Sequence, residues 1–133
     1  MIREGLPATV VYQGMGTNPP GTGDIGEVNL TGVSANIATT VIVNTRPRGL
    51  YWFEGVAECT SASAGTISVT ATWTDDAGGS TAVIATLPMS ATGRASLSNS
   101  LSIYLASGNL SYSTSGWTSG RYALRFRCFY GGA

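Results

Sequence analysis

The stretch Arg121-Tyr122-Ala123-Leu124-Arg125-Phe126-Arg127-Cys128-Phe129-Tyr130 decides the fold. Tyr122, Leu124, Phe126, Cys128 and Tyr130 alternate with Arg121, Ala123, Arg125, Arg127 and Phe129. A period of two is the mark of a strand with one buried face. One face is aromatic and aliphatic; the other carries three arginines. Such a strand is unstable alone, so the rest of the chain must supply neighbours and a second layer.

Working backwards, the same alternation recurs. Leu110, Tyr112 and Thr114 alternate with serines, and Gly116-Trp117-Thr118-Ser119-Gly120 joins that run to the final strand. Leu97 to Leu105 predicts a strand, turned by Ala106-Ser107-Gly108-Asn109 into a hairpin with 110–114. Ile67, Val69, Ala71 and Trp73 alternate with Ser68, Thr70 and Thr72. Asp75-Asp76-Ala77-Gly78-Gly79 then predicts a hairpin loop into a strand whose Thr81, Val83, Ala85 and Leu87 share a face. In 50–59, Leu50, Trp52, Glu54, Val56 and Glu58 share one face, and Tyr51, Phe53, Ala57 and Cys59 the other. This alternation places both Trp52 and Trp73 in the core. Val28 to Val43 holds looser strands. Short, evenly spaced strands without a helix predict an all-β fold, a jelly-roll-like antiparallel β-sandwich over 28–133.

Residues 1–27 read as an extended N-terminal arm. Gly14 to Gly26 is rich in glycine and contains Pro19-Pro20, and cannot bury enough apolar area to fold alone. Val10, Val11, Tyr12 and Met15 are too apolar for an idle tail, so they are the expected docking residues of an arm that crosses a neighbour. No long apolar run follows Met1, so no secretory signal and no membrane crossing are expected.

The chain has 133 residues, 43% hydrophobic and only 11% charged, enough for one core under a coat of Ser, Thr and Gly. The seven basic residues are all Arg and are balanced by seven acidic ones. Neutrality argues against nucleic acid and acidic membranes as partners. Arg125 and Arg127 are expected to meet Glu54 and Glu58, or a neighbouring subunit. Without His or Lys, histidine-based triads, most zinc sites and phosphate-loop chemistry are excluded. Glu54 and Glu58 would lie about 13 Å apart on a strand, too far for a glycosidase pair. No enzyme, cofactor or metal is expected, and Asp75-Asp76 reads as turn chemistry rather than calcium ligands. Cys59 and Cys128 read as buried thiols, or as a disulfide if their strands are neighbours. Trp117, in its glycine-bounded loop, is either a plug over the open end of the sandwich, a subunit contact or a glycan contact. A sugar platform from Trp52, Trp73, Trp117 and Tyr112 is the alternative to a purely structural role.

The run Leu110-Ser111-Tyr112-Ser113-Thr114-Ser115-Gly116-Trp117-Thr118-Ser119-Gly120-Arg121-Tyr122-Ala123-Leu124-Arg125-Phe126-Arg127 resembles the end of small β modules in tailed-bacteriophage structural proteins. Gly49 to Phe53 and Ile67 to Asp76 resemble their strand opening and central hairpin, and the likeness covers about residues 28–130. It implies a virion component of decoration, head-fibre or tail-fibre type, self-assembling as a homotrimer. In such proteins the module usually ends a longer fibre; here it follows a 27-residue arm. That departure favours a small capsid decoration protein attached by the arm to the major capsid protein or another virion protein. The alternative is a receptor- or glycan-binding head or tail fibre module. Interface candidates are Val10, Val11, Tyr12 and Met15 in the arm, then Trp117, Arg125 and Arg127 in the domain.

Overall fold

The computed structural model describes residues 23–43, 48–98 and 101–132. Val10, Val11, Tyr12 and Met15 lie outside the described residues. Among those described there are nine strands and no helix: β1 (Gly23–Val33), β2 (Thr40–Val43), β3 (Gly49–Ser61), β4 (Thr66–Asp75), β5 (Gly78–Pro88), β6 (Gly93–Ser96), β7 (Ile103–Leu105), β8 (Ser107–Ser115) and β9 (Arg121–Gly132).

The pairing is that of one long antiparallel ribbon folded double. β4 pairs with β5, β3 with both β6 and β7, β2 with β8, and β1 with β9. Two more pairings, β3 with β9 and β4 with β8, roll the ribbon up. The result is two sheets, β1-β9-β3-β6 (with β7 also on β3) and β2-β8-β4-β5. The all-β, jelly-roll-like antiparallel sandwich expected from the sequence is found, and with β6 and β7 counted as one interrupted strand it has the strand order of an eight-stranded jelly roll.

The tight β4–β5 turn follows from its chemistry. Asp75 Oδ1 accepts from the Ala77 N–H at 2.8 Å and Oδ2 from the Ser80 hydroxyl at 3.1 Å, while Gly78 takes a φ of 119°. Both carboxylate oxygens are thus engaged in shaping the turn.

Period two holds on β9: Tyr122, Leu124, Phe126, Cys128 and Tyr130 are all buried, and Arg121, Arg125 and Arg127 are exposed. Tyr51, Phe53, Ala57 and Cys59 of β3 face the same core. Phe126 joins the layers. Its ring meets Phe53 on the next strand at 5.8 Å and Tyr112 of the other sheet at 5.5 Å, both edge-on. Each such contact adds about 0.5–1.5 kcal/mol to the area buried.

Four expectations change. β1 starts at Gly23, opposite Tyr130, so the expected arm–sandwich border at 27/28 falls inside a paired strand. Residues 23–27 are held by backbone bonds to β9, which composition does not register. On β5, Val69 pairs with Ala85 and Thr70 with Val83, leaving Ile84 as a bulge. The face therefore switches: Ile84 and Ala85 are both buried and Val83 is 55% exposed.

The single strand expected over 97–105 is broken. β6 and β7 flank a crossing in which the Leu97 N–H donates to the Gly55 carbonyl at 3.0 Å and the Ser98 N–H to Ile84 at 2.8 Å. Leu97 is buried there, closing the side of the sandwich between the sheets. Finally, 97–105 and 110–114 form no hairpin. β7 lies in one sheet and β8 in the other, and the chain crosses at Ala106, whose N–H donates to Thr74 at 2.8 Å.

The cysteine question closes on geometry. β3 and β9 are neighbours, but Cys128 faces Phe53 and Cys59 faces Tyr122. Six rungs separate the thiols, about 20 Å at strand rise, far beyond disulfide reach. Both are free and buried.

Candidate functional site: the outer faces of the two sheets

The outer face of β1-β9-β3 carries nearly all the charge found on either sheet face. Its rows follow from register. Arg127 stands between Glu27 and Glu54, and Arg125 between Asn29 and Val56. Arg125 also reaches Glu58 on the diagonal, Nε to Oε1 at 3.6 Å. The pairing of these arginines with β3 carboxylates is thus realised for Arg125 and Glu58. Both partners are partly exposed, so the contact contributes under about 1 kcal/mol.

Between these rows lies a concavity of about 430 Å³, floored by the row Val28, Phe126 and Gly55. Gly55 is required there. A Cβ on it would sit 2.3 Å from the Arg125 carbonyl oxygen and 2.4 Å from Phe126, at a φ of 154°. β3 and β9 approach so closely at this rung that the floor is main chain. Phe129 closes one end of the dish.

Behind Phe129 stands Trp52, which the alternation assigned to the core. It is instead half-buried on the outer face, its ring stacked on Phe129 at 5.8 Å and 15°. Its Nε1 donates to Glu54 Oε2 at 3.4 Å. The indole covers Gly131, where a Cβ would come within 2.6 Å of Cζ3. Period two places Trp52 on one face with Glu54 and Glu58; those two carboxylates were the available signal that the face is the outer one.

Trp73 and Tyr112 are core residues, so neither joins a surface platform. Trp117 packs partly buried against the core at the end of the sandwich. Its main-chain N–H donates to Asn36 Oδ1 at 2.9 Å and its Nε1 to the Gly120 carbonyl at 3.1 Å. The Thr118 hydroxyl donates to Ala64 O at 3.0 Å and the Ser63 hydroxyl to Ser119 O at 2.8 Å, tying this loop to 62–65. Trp117 is thus packed on the core of its own chain, and it is not among the residues that line the dish.

The other outer face differs in kind. Val41, Ser111, Thr72 and Thr81 form one row across β2-β8-β4-β5, and Ser113, Thr70 and Val83 the next. Ser115, Ser68 and Thr86 follow. None of these carries a charge, and Val41 and Val83 are 47% and 55% exposed. Among the described residues no group of three or more His, Cys, Asp or Glu side chains is placed to hold a metal ion.

No protein-family model, no curated protein and no solved structure matches the chain.

Proposed function

We propose that this chain is a non-enzymatic structural protein of a tailed-bacteriophage virion, a capsid decoration or cement protein that assembles as a homotrimer and attaches through its N-terminal segment. The resemblance over residues 28–130 supplies the class. The jelly roll supports it by analogy alone, since viral capsid domains and lectins both use that architecture.

The observation that carries the reading is the uncharged face of β2-β8-β4-β5. A hydroxyl surface with two exposed valines is covered by a partner without stripping water from any charge. Its extent is informative. Four strands at about 4.8 Å spacing and about 20 Å length give about 400 Å² in projection. A stable interface needs about 800 Å² per partner. On this reading the face is one part of the contact and the N-terminal segment is the other. Cementing follows by mass action, since a protein bound to several neighbours of an assembled shell stabilises that shell.

The test is the mass of the intact chain in solution together with its binding to particles that lack it. A trimer is expected, and Val83→Asp is expected to shift it toward monomer with strand content retained. A chain deleted of residues 1–22, leaving β1 whole, should keep its fold and lose particle binding. Undiminished binding by that deletion would remove the attachment role.

A further inference from the structure

We infer that the dish on the outer face of β1-β9-β3 is a binding site for a neutral saccharide. The sugar's C–H face packs against Phe129 with Trp52 behind it, and its hydroxyls bond to Glu27, Glu54, Asn29 and Arg125. The inference does not depend on the capsid reading.

Three observations converge. The first is the aromatic pair. Two large rings half-exposed on a sheet face are held there rather than left over. Gly131 keeps the strand bare beneath the indole, and Glu54 accepts from its N–H. A solvated face of cross-strand ion pairs needs neither device.

The second is shape. About 430 Å³ lies within the range of small-ligand sites, roughly 300–1,000 Å³. The floor is main chain because Gly55 has no side chain, so a ring can approach the sheet closely.

The third is charge. Glu27 and Glu54 against Arg125 and Arg127 sum to zero over the lining. A phosphate or nucleic acid would call for a positive surplus, and a basic peptide for a negative one. Carboxylates accept, the guanidinium donates in a fixed fork, and the Asn29 amide does both. That balance of donors and acceptors, beside an apolar ring, matches a polyol with one C–H face.

The experiment uses the intact chain with labelled tryptophan indoles. Three N–H signals are expected, assigned by Trp→Phe substitution. Chitotriose, cellotriose, maltotriose and lactose are titrated in turn. At least one should move the Trp52 signal saturably, with a dissociation constant in the millimolar range, while Trp73 and Trp117 stay in place. Phe129→Ala and, separately, Glu54→Gln should each weaken that saccharide by about tenfold or more. The unmoved Trp73 signal reports that each variant is folded. If Phe129→Ala disturbs it, Glu54→Gln carries the test. Val83→Asp should leave the titration unchanged, which separates this site from assembly.

A Trp52 signal unmoved by all four sugars overturns the inference. So does one that shifts with protein concentration alone, which would assign the face to contact between protein copies.

Discussion

The hydroxyl oxygens of Thr114 and Tyr122 lie 2.8 Å apart inside one end of the sandwich. The Tyr122 hydroxyl gives its only proton to the Ala35 carbonyl at 2.7 Å. Thr114 must therefore donate to Tyr122, and it accepts from the Ile37 N–H at 2.7 Å. This relay pins the β1–β2 connection to β8 and β9. Tyr122→Phe leaves the Thr114 hydroxyl and the Ala35 carbonyl without their partner. The expected cost is about 1–3 kcal/mol, read as a lower urea midpoint at constant slope. Amide exchange should accelerate most in residues 34–38.

Burial raises the Tyr122 hydroxyl above its ordinary value near 10.0, with the Thr114 bond opposing in part. Burial also raises Tyr112, with Tyr122 adding to it. Above pH 10 the unfolded chain loses these protons first, so it binds fewer protons than the folded one. Stability is then fully present below pH 10 and falls as pH rises through the raised folded values. Urea midpoints between pH 9 and 11 should decline, and the decline should be shallower in Tyr122→Phe. An equal slope in the variant would remove Tyr122 as a source.

Gly55 and Gly79 make a matched pair. A Cβ at Gly55 collides with the main chain of β9, whereas at Gly79 nothing lies within 4 Å. Gly55→Ala should cost more than about 2 kcal/mol through backbone strain and displaced strands. Gly79→Ala should stay within about 0.5 kcal/mol. Thermal melts of the two variants side by side check this.

Cys59 and Cys128 face the core six rungs apart. Mild oxidation should leave no intramolecular disulfide, and a thiol reagent should label both cysteines only after denaturant is added. Fast labelling of either one in the native protein would contradict their burial.

How legible each part was depended on how local its cause is. The faces of β3, β4 and β9 were readable because side-chain direction alternates within the strand itself. The β4–β5 turn was readable because Asp75 bonds to its own neighbours. The bulge at Ile84 and the break after Ser96 were not, since both serve contacts with Ser98 and Gly55 that are distant in sequence. Trp52 was misassigned for a related reason. Period two sorts residues into two sets but does not say which set faces inward. Both sets on β3 are partly apolar, so only its place beside β9 decides the matter. The dish was invisible for the same cause, being assembled from three strands far apart in the chain.

Sequence alone determined that this protein is an all-β sandwich with a neutral, hydroxyl-rich surface and no histidine chemistry, because composition and period two are properties of the chain itself. The tertiary structure decided which strands adjoin, that Trp117 packs on the core of its own chain, and that Trp52 and Phe129 stand together beside a charged dish. Strand neighbours and register are set by packing across the whole roll, and no stretch of the chain carries that information by itself.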